Sequence, residues 1–299
     1  MELNHDIVID TPPHDAASVV MLRDGGDGLE VLLMRRHADS SVLGGAYVFP
    51  GGKVDRADSA PDLLTRLDRD PADLHPQLGE TELAAAAAAA LFVAAAREAF
   101  EESGVLYARR AGQPLAAQAQ HAGFDALRQG QPFGQLLARH GLQLDTHDLA
   151  PWSRWITPRR PSLMNRRFDT RFFLAAVPQG QAARCDDFEL TEARWLTPRA
   201  ALRQYRDYAI DLAPPQIVSL LHLMQYRDVA QAMTDARSRR PPLIEPKPVD
   251  ETAEARVLCY PGDPEHPVRS HAFPTAVPTR VIWRNKRFEP PQGFAAFID

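Results

Sequence analysis

A fourteen-residue run, Leu83 to Ala96, holds no polar side chain and is mostly alanine. Alanine is the strongest helix former, so this run dictates a rigid helical rod and disfavours a loop or a strand. A bilayer span needs roughly 20 strongly apolar residues, so the rod is too short and too weakly apolar to cross a membrane. Thr81 supplies an N-cap and Gly104 a C-terminal stop, which predicts one helix between them. The fold has to be built around that rod.

The polar end of the rod reads REAFEESGV, residues 97–105. On a helix, Glu98, Glu101 and Glu102 stand at i, i+3 and i+4, so their carboxylates share one face. Three like charges that close destabilise an isolated helix, and the macrodipole at its C-terminal end is negative too. A divalent cation reverses the sign of both effects, because hard cations take carboxylate oxygens. The plain alternative is a solvated acidic face, and the helix alone does not decide. The stretch FPGGKVDRAD, residues 49–58, adds weight. A glycine pair after a short strand lets backbone approach a phosphate or a helix closely, although such a pair is also an ordinary turn.

Around the rod, the apolar runs Ala17 to Leu22 and Leu29 to Met34 flank DGGDG and predict a hairpin. A short strand is expected at Ala46 to Phe49. Residues 55–80, rich in Asp and Pro, read as an irregular excursion. One helix is expected from Phe124 to His140, with strands at 152–157, 172–177 and 193–196. Further helices are expected from Pro198 to Tyr205 and from Pro215 to Ala236. This irregular mixture predicts a layered α/β or α+β domain with a mixed sheet. Residues 1–16 read as a loose leader, 17–239 as the principal domain, and 240–299 as a proline-rich linker or arm with a C-terminal extension.

Composition acts mainly by exclusion. A formal charge of −5 argues against a stable grip on nucleic-acid backbone. Basic residues are almost all arginine, with lysine only at Lys53, Lys247 and Lys286. Cys185 and Cys259 lie 74 residues apart, without metal-ligand spacing, and imply a reducing compartment and no disulfide framework. The opening MELNHDIVID lacks the basic and apolar regions of a signal peptide, so the cytoplasm is the expected location and a membrane is not an expected partner. The histidines form no HxxxH or HxH pair for zinc, and Ser103-Gly104 lacks the surroundings of a nucleophile elbow. The oligomeric state stays open, a homo-oligomer included.

Together, residues 49–58 and 97–105 resemble the Nudix box, G-x5-E-x7-R-E-U-x-E-E-x-G-U with U apolar. Gly52 matches the opening glycine, and Asp58 falls where the first glutamate is expected. Arg97, Glu98, Ala99, Glu101, Glu102, Gly104 and Val105 match the second half in order. Asp58 is one methylene short, and 38 residues separate it from Arg97 where the box has seven, an insert of 31. Such a split box, followed by WSRWITPRRPSLMNRRFDTRFFLAAVP, resembles the Nudix branch that includes the peroxisomal coenzyme A diphosphatases of animals and their bacterial relatives. In coenzyme A-cleaving enzymes of another branch an arginine and a glycine precede FPGG in a set rhythm; here Gly45 is present but Ser41 stands in the arginine's place.

The resemblance implies an α/β/α sandwich around a mixed sheet, with a helical insert at about 59–90 inside the box. It implies that Glu98, Glu101 and Glu102 bind Mg²⁺ or Mn²⁺, and that Glu101 or Glu102 also activates water. It implies that Arg97 orients a box carboxylate, with Asp58 in support, and that Gly51 and Gly52 meet substrate. The implied reaction is cleavage of a diphosphate linkage in a small nucleotide, with coenzyme A or an acyl derivative leading. ADP-ribose or a nucleotide sugar is the alternative, and a silent ligand-binding module the second. Arg35, Arg36, Arg159, Arg160, Arg166, Arg167 and Arg171 are candidates for substrate phosphate through bidentate contacts, with Arg35 and Arg171 foremost because each adjoins a strand near this site. Trp155, Phe168 and Phe172 suit either a core or a base-stacking wall.

Overall fold

The computed structural model of the chain describes all residues except 1, 2, 5, 6, 41, 186–189, 253, 254 and 275, and gives the backbone alone for 250–252 and 255. Ser41 therefore lies outside the described residues. Two long strands form the expected hairpin, β1 (His14–Gly25) and β2 (Gly28–Arg36), with Gly25 paired to Gly28 across the turn. Next come β3 (Tyr47–Val48) and β4 (Gly51–Lys53), then the short helices α1 (Pro61–Leu64) and α2 (Pro71–Leu78), and the rod, α3 (Ala85–Ser103). A small sheet of β5 (Ala108–Arg110), β6 (Gln113–Pro114) and β7 (Gln143–Leu144) carries α4 (Ala117–Arg128) and α5 (Phe133–His140) between its strands. Strands β8 (Ala150–Ile156), β9 (Phe168–Ala176) and β10 (Leu190–Leu196) complete the central sheet before α6 (Pro198–Arg206), α7 (Pro214–Leu223) and α8 (Val229–Ser238).

The sheet is mixed: β1 runs antiparallel to β2 and parallel to β9, and β8 is antiparallel to β9. Successive side chains on a strand point to opposite faces. Val20 and Leu22 of β1, Val31 and Leu33 of β2, and Phe172 and Leu174 of β9 pack on the face covered by α6, α7 and α8. Val19, Met21, Leu32, Met34, Phe173 and Ala175 pack on the other face, against α3. Both faces are buried, so helices must cover both, and the expected α/β/α sandwich results. Alanine along α3 brings the rod close to the sheet, and Gly104 ends it in the left-handed conformation with φ 69°.

Four boundaries differ from expectation. The rod begins at Ala85 rather than at Thr81, because Glu80 is held by Arg154 and Arg171 and residues 80–83 form a turn instead. Residues 124–140 form two helices, separated at Gly130–Pro132, since the residue before a proline disfavours the α region. Residues 215–236 likewise form two, because Asp228 caps the second by accepting from the Gln231 N–H at 2.8 Å. The stretch 55–80 is ordered rather than irregular: Leu63, Leu67, Leu74 and Leu78 are buried beside the rod.

The terminal segments also pack closely. Asn4 N–H donates to the Ser162 carbonyl at 2.7 Å and Ile9 N–H to that of Arg159 at 2.8 Å, so the leader lies along the chain before β9. Beyond α8, β11 (Leu243–Ile244) adds to the central sheet, parallel to β8. A second, antiparallel sheet follows: β12 (Lys247–Thr252), β13 (Ala255–Cys259), β14 (Arg280–Arg284) and β15 (Arg287–Glu289), with α9 (Ala295–Ile298) at the end. Leu258, Tyr260, Val281, Trp283, Phe288 and Ile298 share one buried cluster with Val20 and Val31, so the C-terminal stretch is continuous with the main core. The Tyr205 hydroxyl donates to the Phe288 carbonyl and accepts from its N–H, each at 3.0 Å. Among the described residues, no helix is long and apolar enough to cross a membrane.

Candidate active site

The last two turns of α3 bring the two halves of the box together. Arg97 is buried and donates five hydrogen bonds from one guanidinium. Its Nε and Nη2 meet both oxygens of Asp58 at 2.9 Å, its Nη1 meets Glu98 and Glu101 at 2.8 Å, and Nη2 also meets the Lys53 carbonyl at 2.9 Å. Asp58 itself is 1% exposed and accepts from the Asp55 N–H at 2.7 Å. Burial lowers the affinity of the Arg97 guanidinium for its proton, but its hydrogen bonds to Asp58 and the charge of Glu98 outweigh this, so its pKa is raised. A buried guanidinium thus draws two carboxylates of the rod and one of the loop around a single charge.

Glu102 is buried and accepts from the Gly51 N–H at 2.8 Å. Glu101 is the most open of the three, its side chain 37% exposed against 14% for Glu98. Burial still pushes the Glu101 carboxyl up, which the Arg97 charge only partly offsets. The loop packs closely at both glycines. A Cβ on Gly52 would stand 2.4 Å from Glu98 Oε1, and one on Gly51 would stand 2.5 Å from the Ala17 carbonyl oxygen. The loop lies against the rod on one side and against β1 on the other.

Gly51, Gly52, Glu98, Glu101 and Glu102 all line one cavity of about 880 Å³. That volume is within the range of small-molecule sites. Arg36, Lys53, Arg128 and Arg166 give the cavity cationic walls, and Trp155, Phe168 and Phe172 all line it.

The two foremost arginine candidates do not reach the cavity. Arg171 is 4% exposed, and its donors are taken by Glu80 at 2.9 and 2.6 Å, by Asp15, and by the Asp169 carbonyl. Its strand neighbours Thr170 and Phe172 line the cavity instead. Arg35 is likewise displaced by its neighbour Arg36, which lines the cavity. Both corrections have one cause. Adjacent residues on a strand face opposite ways, and strands buried on both faces show no apolar alternation from which the parity could be read. The insert residues 59–90 are also absent from the lining, whereas Pro246 and Leu258 of the C-terminal stretch are part of it.

The donor set suits a hard divalent ion, being three carboxylates on one helix face at a cavity wall. Among the described residues, no three acidic, imidazole or thiol groups form a ready-made cage. Mg²⁺ is commonly held by one or two carboxylates, with water and substrate phosphate completing the shell, so the set fits an ion that arrives with its substrate.

A box of this kind on an α/β/α sandwich is the mark of the Nudix class. A NUDIX hydrolase from Alicyclobacillus acidocaldarius shares the architecture with a TM-score of 0.58 and 29% identity, over 78% of this chain and 98% of that one. The chain belongs to the NUDT19 Nudix domain family, whose model matches residues 14–223. It is similar to the acyl-coenzyme A diphosphatase NUDT19 of Xenopus laevis, 28% identical over 231 residues, and to that of Homo sapiens, 29% identical over 236 residues. These matches cover 67% and 68% of this chain but only 61% and 63% of the relatives' length. A putative nudix hydrolase 7 of Caenorhabditis elegans is 27% identical over 78% of this chain and 68% of its own. Nudix hydrolases as a class use divalent metal ions.

Proposed function

We propose that the protein hydrolyses the diphosphate linkage of coenzyme A or an acyl-coenzyme A, with Mg²⁺ or Mn²⁺. The observation that carries the reading is the convergence of the box carboxylates and the Gly51–Gly52 loop on one cavity. The names of the frog and human relatives support the substrate.

Glu98, Glu101 and Glu102 would hold the ion or ions. A bound dication neutralises diphosphate oxygens and makes water at the site more acidic. Glu101, the most open carboxylate, takes a proton from the attacking water. Arg97 positions Glu98 and Glu101, and Asp58 holds Arg97. Gly51 and Gly52 let the loop pack against Glu98 and β1 while it lines the cavity. Arg36, Lys53, Arg128 and Arg166 supply positive charge for the phosphates. Water oxygen joins one phosphorus as the bridging P–O bond breaks, giving 3′,5′-ADP and 4′-phosphopantetheine from coenzyme A.

The test is turnover of coenzyme A, its 3′-dephospho form, ADP-ribose and a nucleotide sugar, with Mg²⁺ or Mn²⁺ and mass identification of the products. Coenzyme A is expected to give the highest kcat/KM and those two products. Faster cleavage of ADP-ribose would refute the substrate, and no metal-dependent turnover of any member would refute the hydrolase.

A further inference from the structure

The cavity is also lined by neutral side chains that form a largely uncharged wall. Pro161, Leu163 and Met164 from the segment before β9 face it together with Pro246 and Leu258 from the C-terminal stretch. Set in this wall are three polar residues more than nine-tenths buried: Trp155 at 5% exposure, Ser162 at 7% and Gln216 at 7%. The indole Nε1 of Trp155, the hydroxyl of Ser162 and Oε1 of Gln216 are each covered and without a hydrogen-bond partner. Buried polar atoms without partners are costly, and proteins pair the great majority of them. Three on one cavity point to a guest that brings the missing partners.

We propose that this wall is a subsite for the uncharged, amide-bearing arm of the substrate, and that Trp155, Ser162 and Gln216 select for it. The inference rests on the coenzyme A reading above and extends it to the half of the substrate that does not react. The wanted partners are complementary: the indole N–H donates, the Gln216 carbonyl oxygen accepts, and the Ser162 hydroxyl does either. A secondary amide carries one acceptor and one donor, so one amide group satisfies an N–H and a carbonyl at once. The remaining wall, proline and aliphatic, accommodates methylenes. Small rotations of the Ser162 hydroxyl and the Gln216 amide present their atoms to the guest.

A nucleobase fits the wall less well. Base recognition in an open site relies on stacking against an exposed aromatic face. The Trp155 ring is packed edge-on against Tyr260, with centroids 5.7 Å apart, and is tilted against Phe273 at 6.1 Å. Phe172 packs edge-on against Phe49 at 6.3 Å. The Trp155 and Phe172 rings are committed to the core, whereas the half-buried Phe168, tilted against His14 at 6.3 Å, lines the cavity outside this wall. The placement also gives the C-terminal stretch a function, since Pro246 and Leu258 are part of the wall.

The test uses the full chain and two variants, Gln216→Met, which keeps volume and removes the amide, and Ser162→Ala, which removes only a hydroxyl. Two readouts are needed: kcat and KM for coenzyme A and ADP-ribose, and binding of pantetheine by calorimetric titration. Melting curves confirm that the variants are folded, and Ser162→Ala keeps the test open should Gln216→Met fail to fold. Each variant is expected to raise KM for coenzyme A about tenfold with kcat nearly unchanged. ADP-ribose kinetics should stay within about twofold, and pantetheine affinity should fall in parallel. Equal effects on both substrates, or none on either, would overturn the subsite while leaving the hydrolase intact. If the wild type turns over no coenzyme A, the substrate reading fails separately and pantetheine binding decides the subsite. Binding that the variants lose supports it, and absence of binding to the wild type overturns it.

Discussion

Replacing Arg97 by methionine tests the centre of the site. The change removes five hydrogen bonds and leaves Asp58, at 1% exposure, as a buried carboxylate with no cation. Breaking a buried ion pair by deleting one partner costs about 3–5 kcal/mol. For domains of 150–250 residues, 1 kcal/mol moves Tm by about 2–4 °C, so a loss of about 6–20 °C is expected, nearer the lower end for a chain this long. The decisive comparison is with Arg97→Met/Asp58→Leu. An apolar replacement of a whole buried pair is often neutral, so the double variant should recover more than half of the lost stability. It should recover no activity, because Glu98 and Glu101 remain without the group that positions them. Thermal unfolding followed by circular dichroism, alongside turnover with Mg²⁺, measures both. A single variant within about 1 kcal/mol of wild type, or a double variant no more stable than the single, would refute the claim that one buried charge organises the carboxylates.

Glu101→Gln and Glu102→Gln should each keep the fold and lower kcat by on the order of 10² or more, as for loss of a charge-stabilising group; near-normal turnover of both at saturating Mg²⁺ would remove them from the site. Gly52→Ala places a methyl against the movable Glu98 carboxylate, so it should cost activity more than stability. Gly51→Ala meets the fixed backbone of Ala17 and Ser18 and should cost stability, about 1–3 kcal/mol; the opposite order in melting and rate data would contradict those contacts. Burial pushes the His222 imidazole, stacked on Trp152 and packed near Tyr226, Asp235 and Arg239, down to about 4. An unfolded histidine titrates near 6.5, so the unfolded state takes up the extra proton between those values and stability should fall as pH drops through that window. His222→Phe, which keeps a ring, should flatten that part of the stability curve; an unchanged pH dependence would show that His222 does not cause it.

The chemistry was the most legible part of the sequence because it conflicts with local physics. Three glutamates in the last turns of a helix conflict with both mutual repulsion and the dipole, and that conflict, together with the FPGG loop and the box pattern, singles out Glu98, Glu101 and Glu102 in the sequence. The hairpin was legible through its glycine turn, and the rod through alanine. Other features depend on contacts distant in sequence. Glu80 is drawn to Arg154 and Arg171 across the sheet, and no local signal shifts the start of the rod to Ala85. The leucines of α1 and α2 find their partners on elements distant in sequence, while locally aspartate and proline dominate that segment. Arg35 and Arg171 are near the site in sequence, which on a strand buried on both faces says nothing about direction. Pro246 and Leu258 reach the cavity only because the second sheet packs back onto the core.

The distance that interrupts the box has a calculable cost. Closing a flexible loop costs only about 0.6 kcal/mol for each doubling of its length, so stretching seven residues to 38 adds about 1.5 kcal/mol. The bidentate pairing of Arg97 with Asp58 is on the scale needed to offset that, and the buried leucines of the insert offset more. The motif is therefore held by a guanidinium rather than by chain continuity. A lineage could lengthen, shorten or exchange the segment between Asp58 and α3 while the carboxylates stayed in place, so a search that demands fixed spacing would miss such members, whereas one that asks what Arg97 holds would find them.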